Sequence, residues 1–139
     1  MIIKQISIFI ENKPGRLAEI TDIIAQNNIN IRALSVADTT NFGILRIIVD
    51  DPDKVEKVLK ENEMTVSITS VISVLVDDKA GGLAAMLKHL AESDISIEYM
   101  YGFVVNQGKA CIIMRIGNDE DFKSMQILKN AGYEGLEIE

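Results

Sequence analysis

The sequence is poor in the residues that build metal centres, nucleophiles and disulfides: among 139 residues there is one cysteine, one histidine and no tryptophan. A single thiol cannot form an intramolecular disulfide framework, and it suits a reducing compartment. Cys111 stands in the apolar run Ala110-Cys111-Ile112-Ile113-Met114 and reads as a buried structural thiol, not a nucleophile. His89, between Lys88 and Leu90, reads as a solvated or half-buried helix residue, because no second histidine or thiolate could share a metal with it. No metal and no cofactor are expected. Ser-His-Asp and Cys-His sets and a phosphate-binding P-loop are also missing, so the chain is not expected to be an enzyme. Positive charge is scarce as well, with 14 Lys and Arg against 21 Asp and Glu and a net charge of −7. Without a basic stripe, nucleic acid and anionic membrane surfaces are poor partners. No apolar run approaches the ~20 residues that cross a bilayer. The opening Met1-Ile2-Ile3-Lys4-Gln5 lacks the apolar stretch of a signal peptide, so the cytoplasm is the expected location.

What the sequence has is a repeat. Ile6-Ser7-Ile8-Phe9-Ile10-Glu11-Asn12-Lys13-Pro14-Gly15-Arg16-Leu17-Ala18 matches Ile72-Ser73-Val74-Leu75-Val76-Asp77-Asp78-Lys79-Ala80-Gly81-Gly82-Leu83-Ala84 at an offset of 66. Ala25, Ile29 and Ile31 match Ala91, Ile95 and Ile97 at the same offset, and Val55 and Val58 match Phe122 and Met125 at 67. One residue has entered the loop between. Two domains are expected, 1–69 and 70–139.

Each copy reads as β-α-β-β-α-β, giving an α+β ferredoxin-like fold with antiparallel sheets and helices on one face. Ile6, Ile8 and Ile10 alternate as a strand. After Pro14-Gly15, Leu17, Ile20, Ile23 and Ile24 share a helix face that Asn27-Asn28 closes. A second strand is expected from Ile29. The loop Asp38-Thr39-Thr40-Asn41 leads to a third strand, Ile44 to Val49, and Asp51-Pro52-Asp53 starts a second helix with a Val55, Val58 and Leu59 stripe. Val66 to Thr69 ends the unit. In the second copy Leu83, Met86, Leu87 and Leu90 form the helix face, and Ser93-Asp94 ends it. Ile97, Tyr99, Tyr101 and Phe103 alternate before the turn Asn106-Gln107-Gly108. No Gly/Ser/Pro linker separates the copies.

The turn into the first helix carries the chemistry. A helix start presents backbone N–H groups and the positive end of the dipole, which favour a carboxylate. Gly15 and Gly81 allow close approach, and Asn12 offers donors and acceptors beside them. A plain turn is the other reading of the same residues.

Glu11-Asn12-Lys13-Pro14-Gly15-Arg16-Leu17, followed by Asn28-Ile29-Asn30-Ile31, resembles the ACT domain family, small βαββαβ regulatory modules of amino-acid metabolism. In the serine-sensing branch of that family, such a segment and a downstream Asn-Ile pair contribute ligand contacts across a domain–domain interface. The resemblance implies that Asn12, Gly15, Arg16 and Leu17 form one side of a site, with Asn30 and Ile31 contributing from a facing domain. It covers both copies. The second departs from the pattern, with Asp78 for Asn12, Ala80 for Pro14, Gly82 for Arg16 and Ser96 for Asn30. Two chemically different sites follow: the Asn12 loop with Ser96 and Ile97, or Asp78, Gly81, Gly82 and Leu83 with Asn30 and Ile31. Tyr99 would line the wall of a side-chain pocket, or else Tyr99, Tyr101 and Phe103 pack against the helices.

The reading implied is a non-catalytic sensor that binds a free amino acid and acts on a metabolic enzyme or regulator. A homodimer is expected, with the Tyr99–Phe103 strand and the Ile44–Val49 strand as candidate apolar surface. A ligand-free oligomerisation or protein-interaction module is the alternative. A small acylphosphatase-like hydrolase is the enzymatic one, but its Gly-x-Val-Gln-Gly-x-x-Phe-Arg type of loop is missing.

Overall fold

The computed structural model describes residues 1–38, 41–106 and 108–136. Thr39, Thr40 and Gln107 of the two expected turns lie outside the described residues. The described residues divide into two compact units, one of Lys4–Thr69 and one of residues 70–136 with Met1–Ile3.

The first unit runs β1 (Ile2–Glu11), α1 (Arg16–Gln26), β2 (Ile31–Asp38), β3 (Phe42–Val49), α2 (Pro52–Glu61) and the start of β4 (Thr65–Asp77). The strand order is β2-β3-β1-β4, and β3 pairs antiparallel with both neighbours. Alternation buries Ile6, Ile8 and Ile10 with Leu45, Ile47 and Val49 against Ile20, Ile24, Val55 and Leu59 of the helices. Asp51 caps α2 by accepting from the Lys54 N–H at 3.2 Å, and Pro52 takes the first turn, where its missing N–H costs nothing. Asn27 donates its amide to the Ile23 carbonyl, and Asn28 adopts the left-handed φ of 58° that ends the helix.

β2 begins at Ile31, two residues later than the pattern predicts. The Ile29 N–H is spent on the Ile24 carbonyl at 3.3 Å, so this residue closes the helix instead of opening the strand. Leu17 also departs from expectation. It is 42% exposed, and the buried face of α1 is carried by Ile20 and Ile24.

β4 is one strand of 13 residues that ends the first unit and opens the second. The second continues with α3 (Gly82–Ala91), β5 (Ile97–Asn106), β6 (Lys109–Ile116) and α4 (Asp121–Asn130). β6 pairs antiparallel with β4 and β5, and its core joins Ile72, Val74, Met114 and Ile116 to Met86, Leu90 and Leu128. After α4 the chain lies along β4, where the Leu75 N–H donates to the Glu134 carbonyl at 2.8 Å. The Leu136 N–H donates to Ser73 Oγ at 2.9 Å.

A register shift between Ile97 and Tyr99 changes which way the aromatics face. Ile97 lies opposite Ile116 and joins the helix-side core. Tyr99, Tyr101 and Phe103 lie opposite Arg115, Ile113 and Cys111, on the helix-free face. They therefore do not pack against the helices. β3, which carries Ile44–Val49, is an interior strand flanked by β2 and β1, so the edge of the first unit is β2.

Candidate functional site

The two strand-to-helix loops carry the same backbone hydrogen bonds. The Asn12 N–H donates to the Asn41 carbonyl at 3.1 Å, and the Asp78 N–H to the Gly108 carbonyl at 2.9 Å. Lys13 and Lys79 each donate back two residues, to Glu11 and Asp77, both at 2.9 Å. Arg16 and Gly82 donate to the Lys13 and Lys79 carbonyls. Gly15 and Gly81 sit at the N-caps with φ of 83° and 84°, and no side chain caps either helix. The first carbonyls to accept are those of Gly15 and Gly81, from Glu19 and Ala85. That geometry leaves the second and third N–H groups of each helix, those of Leu17 and Ala18 and of Leu83 and Ala84, without an intrahelical acceptor. Such groups can receive an anionic oxygen.

Side chains make the loops different. In the first, Asn12 is exposed and Lys13 pairs with Glu11 at 2.7 Å. Hydrogen bonding to Lys13 holds the Glu11 carboxyl below its usual range. Arg16 pairs with Glu19 at 3.1 Å, and Leu17 stands outward beside them. In the second, Gly82 is buried, and a Cβ there would collide with the Asp77 carbonyl oxygen. Leu83 packs against the core, and Asp78 is exposed. Around Gly15 and Gly81, by contrast, an added Cβ meets nothing within 4 Å. Backbone torsion, not crowding, requires glycine at these two positions.

The loop residues Asn12, Gly15, Arg16 and Leu17 thus come together, as do Asp78, Gly81, Gly82 and Leu83. Asn30 and Ile31 do not join them within the unit. Ile31 lies opposite Val49, whereas Glu11 lies opposite Phe42 at the other end of β3. Seven residues of strand separate those ends, about 20 Å. The same holds in the second unit, where Ile97 pairs with Ile116 and Asp77 with Lys109. A site with both halves needs two domains. Tyr99 lies at the Ile97 end, across from Arg115. Arg115 donates to the Ser70 carbonyl at 2.9 Å and faces Glu98 and Asp121 at 3.7 and 4.0 Å, which holds the strand start to α4.

His89 stacks edge-on to Tyr133 at 5.8 Å, and no group of three metal-ligating side chains occurs among the described residues. Cys111 is buried against Ser73 at 3.6 Å, and burial pushes its thiol up from the ordinary value. Among the described residues no helix is long and apolar enough to cross a membrane.

An apolar depression of about 310 Å³ on the helix-free face of the first unit escapes a motif-based reading. It is lined by Phe9, Ala37, Asp38, Phe42, Gly43 and Ile44. A signal for it exists in the sequence. Phe9 is a large apolar residue at the phase of the polar Ser7, opposite the buried Ile6, Ile8 and Ile10.

The profile of a family described as "ACT domain pair" matches residues 1–136. Protein BT0572 from Bacteroides thetaiotaomicron is 43% identical, with 98% of this chain and 92% of that one covered and a TM-score of 0.91. The regulatory subunit of aspartate kinase from Thermus thermophilus, in its ligand-free form, is 13% identical over 95% of this chain and 97% of its own, with a TM-score of 0.64. The alpha and beta subunits of an aspartokinase are 19% identical over 94% and 95%, with a TM-score of 0.59. At those identities the two kinase subunits share the fold alone. No curated protein matches the chain.

Proposed function

Because the chain belongs to the ACT domain pair family, we propose that it is a cytoplasmic, non-catalytic sensor that binds a free amino acid and regulates a metabolic enzyme or regulator. The observation that carries this reading is the first loop. It sets an exposed Asn12, two orphan helix N–H groups and the guanidinium of Arg16 around one left-handed glycine. The N–H groups suit the ligand carboxylate, and the Asn12 amide oxygen suits its ammonium. The remaining contacts, from Asn30 and Ile31 or from Ser96, Ile97 and Tyr99, require a second domain. The aspartate kinase subunit that shares the fold is itself named a regulatory subunit, which fits this role.

A homodimer is part of the proposal. The edge strands β2 and β5 carry exposed Leu34, Val36, Met100 and Val104, apolar groups that a second copy would cover. Light scattering over a tenfold concentration range checks it, and a monomer mass throughout would remove it. Ligand binding is tested by thermal shift with the common amino acids. A ligand at about 100 times its Kd adds about 2.7 kcal/mol to stability, a readily measured rise in Tm. No shift with any amino acid or related keto acid leaves the interaction-module reading.

A further inference from the structure

The two copies finish differently. In both, the second helix ends on a left-handed residue, Glu63 with φ 62° and Gly132 with φ 92°. The next N–H, of Met64 or Tyr133, returns to the Leu59 or Leu128 carbonyl. Met64 then leads into the first part of β4, which lies beside β1 and gives the core a buried Val66 and a partly buried Ile68. Tyr133 packs on its core and against His89, but it leads into Glu134-Gly135-Leu136, which lies beside β4 without forming a strand. None of these three residues is fully buried, and none belongs to the core.

The attachment is short as well. Leu75 donates its N–H to the Glu134 carbonyl at 2.8 Å, whereas the Ser73 N–H is given to the Met1 carbonyl at 2.7 Å. The Ser73 hydroxyl takes the place of that second rung. It accepts from the Leu136 N–H at 2.9 Å and donates to the Leu136 carbonyl at 3.3 Å. Gly135 passes so close that an added Cβ would stand 2.7 Å from Met1 Cα and 2.9 Å from the Ser73 carbonyl oxygen. Cavities of about 440 and 630 Å³ border the segment, the first toward Asp77 and Lys109, the second toward Met1 and Lys129. A segment with few buried apolar contacts opens at lower free energy than the elements around it.

We infer that residues 134–136 form a strap that leaves β4 as one piece while the rest of the second unit stays folded, a conformational switch that the first copy lacks. Opening exposes the β4 edge at Ser73 and Leu75 and removes the Glu134 wall of the smaller cavity. This is the end of β4 that runs into the Asp78 loop. The inference rests on the packing of the segment and not on any ligand, so it can fail separately from the sensor reading.

The test is native-state amide exchange of the full chain, followed by NMR. The Leu75 and Leu136 amides are expected to exchange together, about 100-fold or more faster than those of Val74 and Val76, which lie opposite Ile112 and Ala110 of β6. Ser73→Ala and Gly135→Ala each speed Leu75 and Leu136 by about a further tenfold. Both variants leave Val74, Val76 and the first-unit amide of Leu45 at parent rates, and circular dichroism confirms that they fold. Leu75 exchanging as slowly as Val74 and Val76 overturns the proposal, because the segment then opens only with the whole unit. A fast Leu136 beside a slow Leu75 overturns it too, being fraying at one residue, and so do variants that speed every amide alike.

Discussion

At the same point of the duplicated fold both loops reach solvent, but the helices behind them start differently. Both use the same backbone hydrogen bonds and the same left-handed glycine. The first spends its remaining positions on an exposed Asn12, a half-buried Arg16 and an exposed Leu17, the second on a buried Gly82 and a core-packed Leu83. The difference shows how duplication separates two demands. The backbone pattern is what the fold needs, so both copies keep it. The side chains are what a ligand would need, and they have diverged. The faces behind the loops follow the same division, with Phe9 and Phe42 in one copy and Leu75 and Lys109 in the other.

The largest effect is expected where the loops differ most in packing. Gly82→Ala forces a Cβ onto the Asp77 carbonyl and should cost about 3 kcal/mol or more. Arg16→Gly, at the matching position, should cost only about 1 kcal/mol, from helix propensity and the exposed Glu19 pair. Urea unfolding of both variants measures the contrast. Equal losses would mean that the loops are equally packed.

Gly15→Ala and Gly81→Ala probe what the loops share. Each forces a Cβ into the left-handed region without a clash, at about 1–2 kcal/mol. Here the copies should behave alike. A loss at one position that exceeds the other severalfold would contradict the common backbone account.

The smallest effect concerns the exposed pair of Asp77 and Lys109. Hydrogen bonding to the ammonium lowers the Asp77 pKa, so its contribution is present above the ordinary aspartate range and fades as pH falls through the lowered value. The Lys109 pKa is raised by the same contact, so its contribution holds below the ordinary lysine range and fades as pH rises through the raised one. Lys109→Met should therefore lower Tm slightly at neutral pH and converge with the parent in acid, less so at high salt. A difference that grows in acid would contradict this sign.

Much of the fold is legible in the sequence because period and punctuation agree. Ile6, Ile8 and Ile10 alternate into the core, and Asp51-Pro52 starts α2 where capping chemistry requires it. Strand starts are less legible. Ile29 reads as a strand residue, but its N–H returns to the Ile24 carbonyl, as the N–H of its repeat partner Ile95 returns to Leu90. The facing of Tyr99 is illegible for a different reason. A register shift after Ile97 inverts the period, and no residue type announces it. The loop half of the site can be read from Asn12-Lys13-Pro14-Gly15. Its distance from Asn30 in the same unit follows only from the pairing of β2 with β3.

The central claim is that the Asn12 loop of the first copy recognises an amino acid, and calorimetric titration of the full chain and of Asn12→Ala with the common amino acids tests it most directly. The account predicts binding in the micromolar to millimolar range, about 4–8 kcal/mol. It also predicts a loss of about 1.5–3 kcal/mol on Asn12→Ala, ten- to a hundredfold in affinity, with stability nearly unchanged. Full affinity in Asn12→Ala, or no heat from any amino acid with the parent chain, would contradict it.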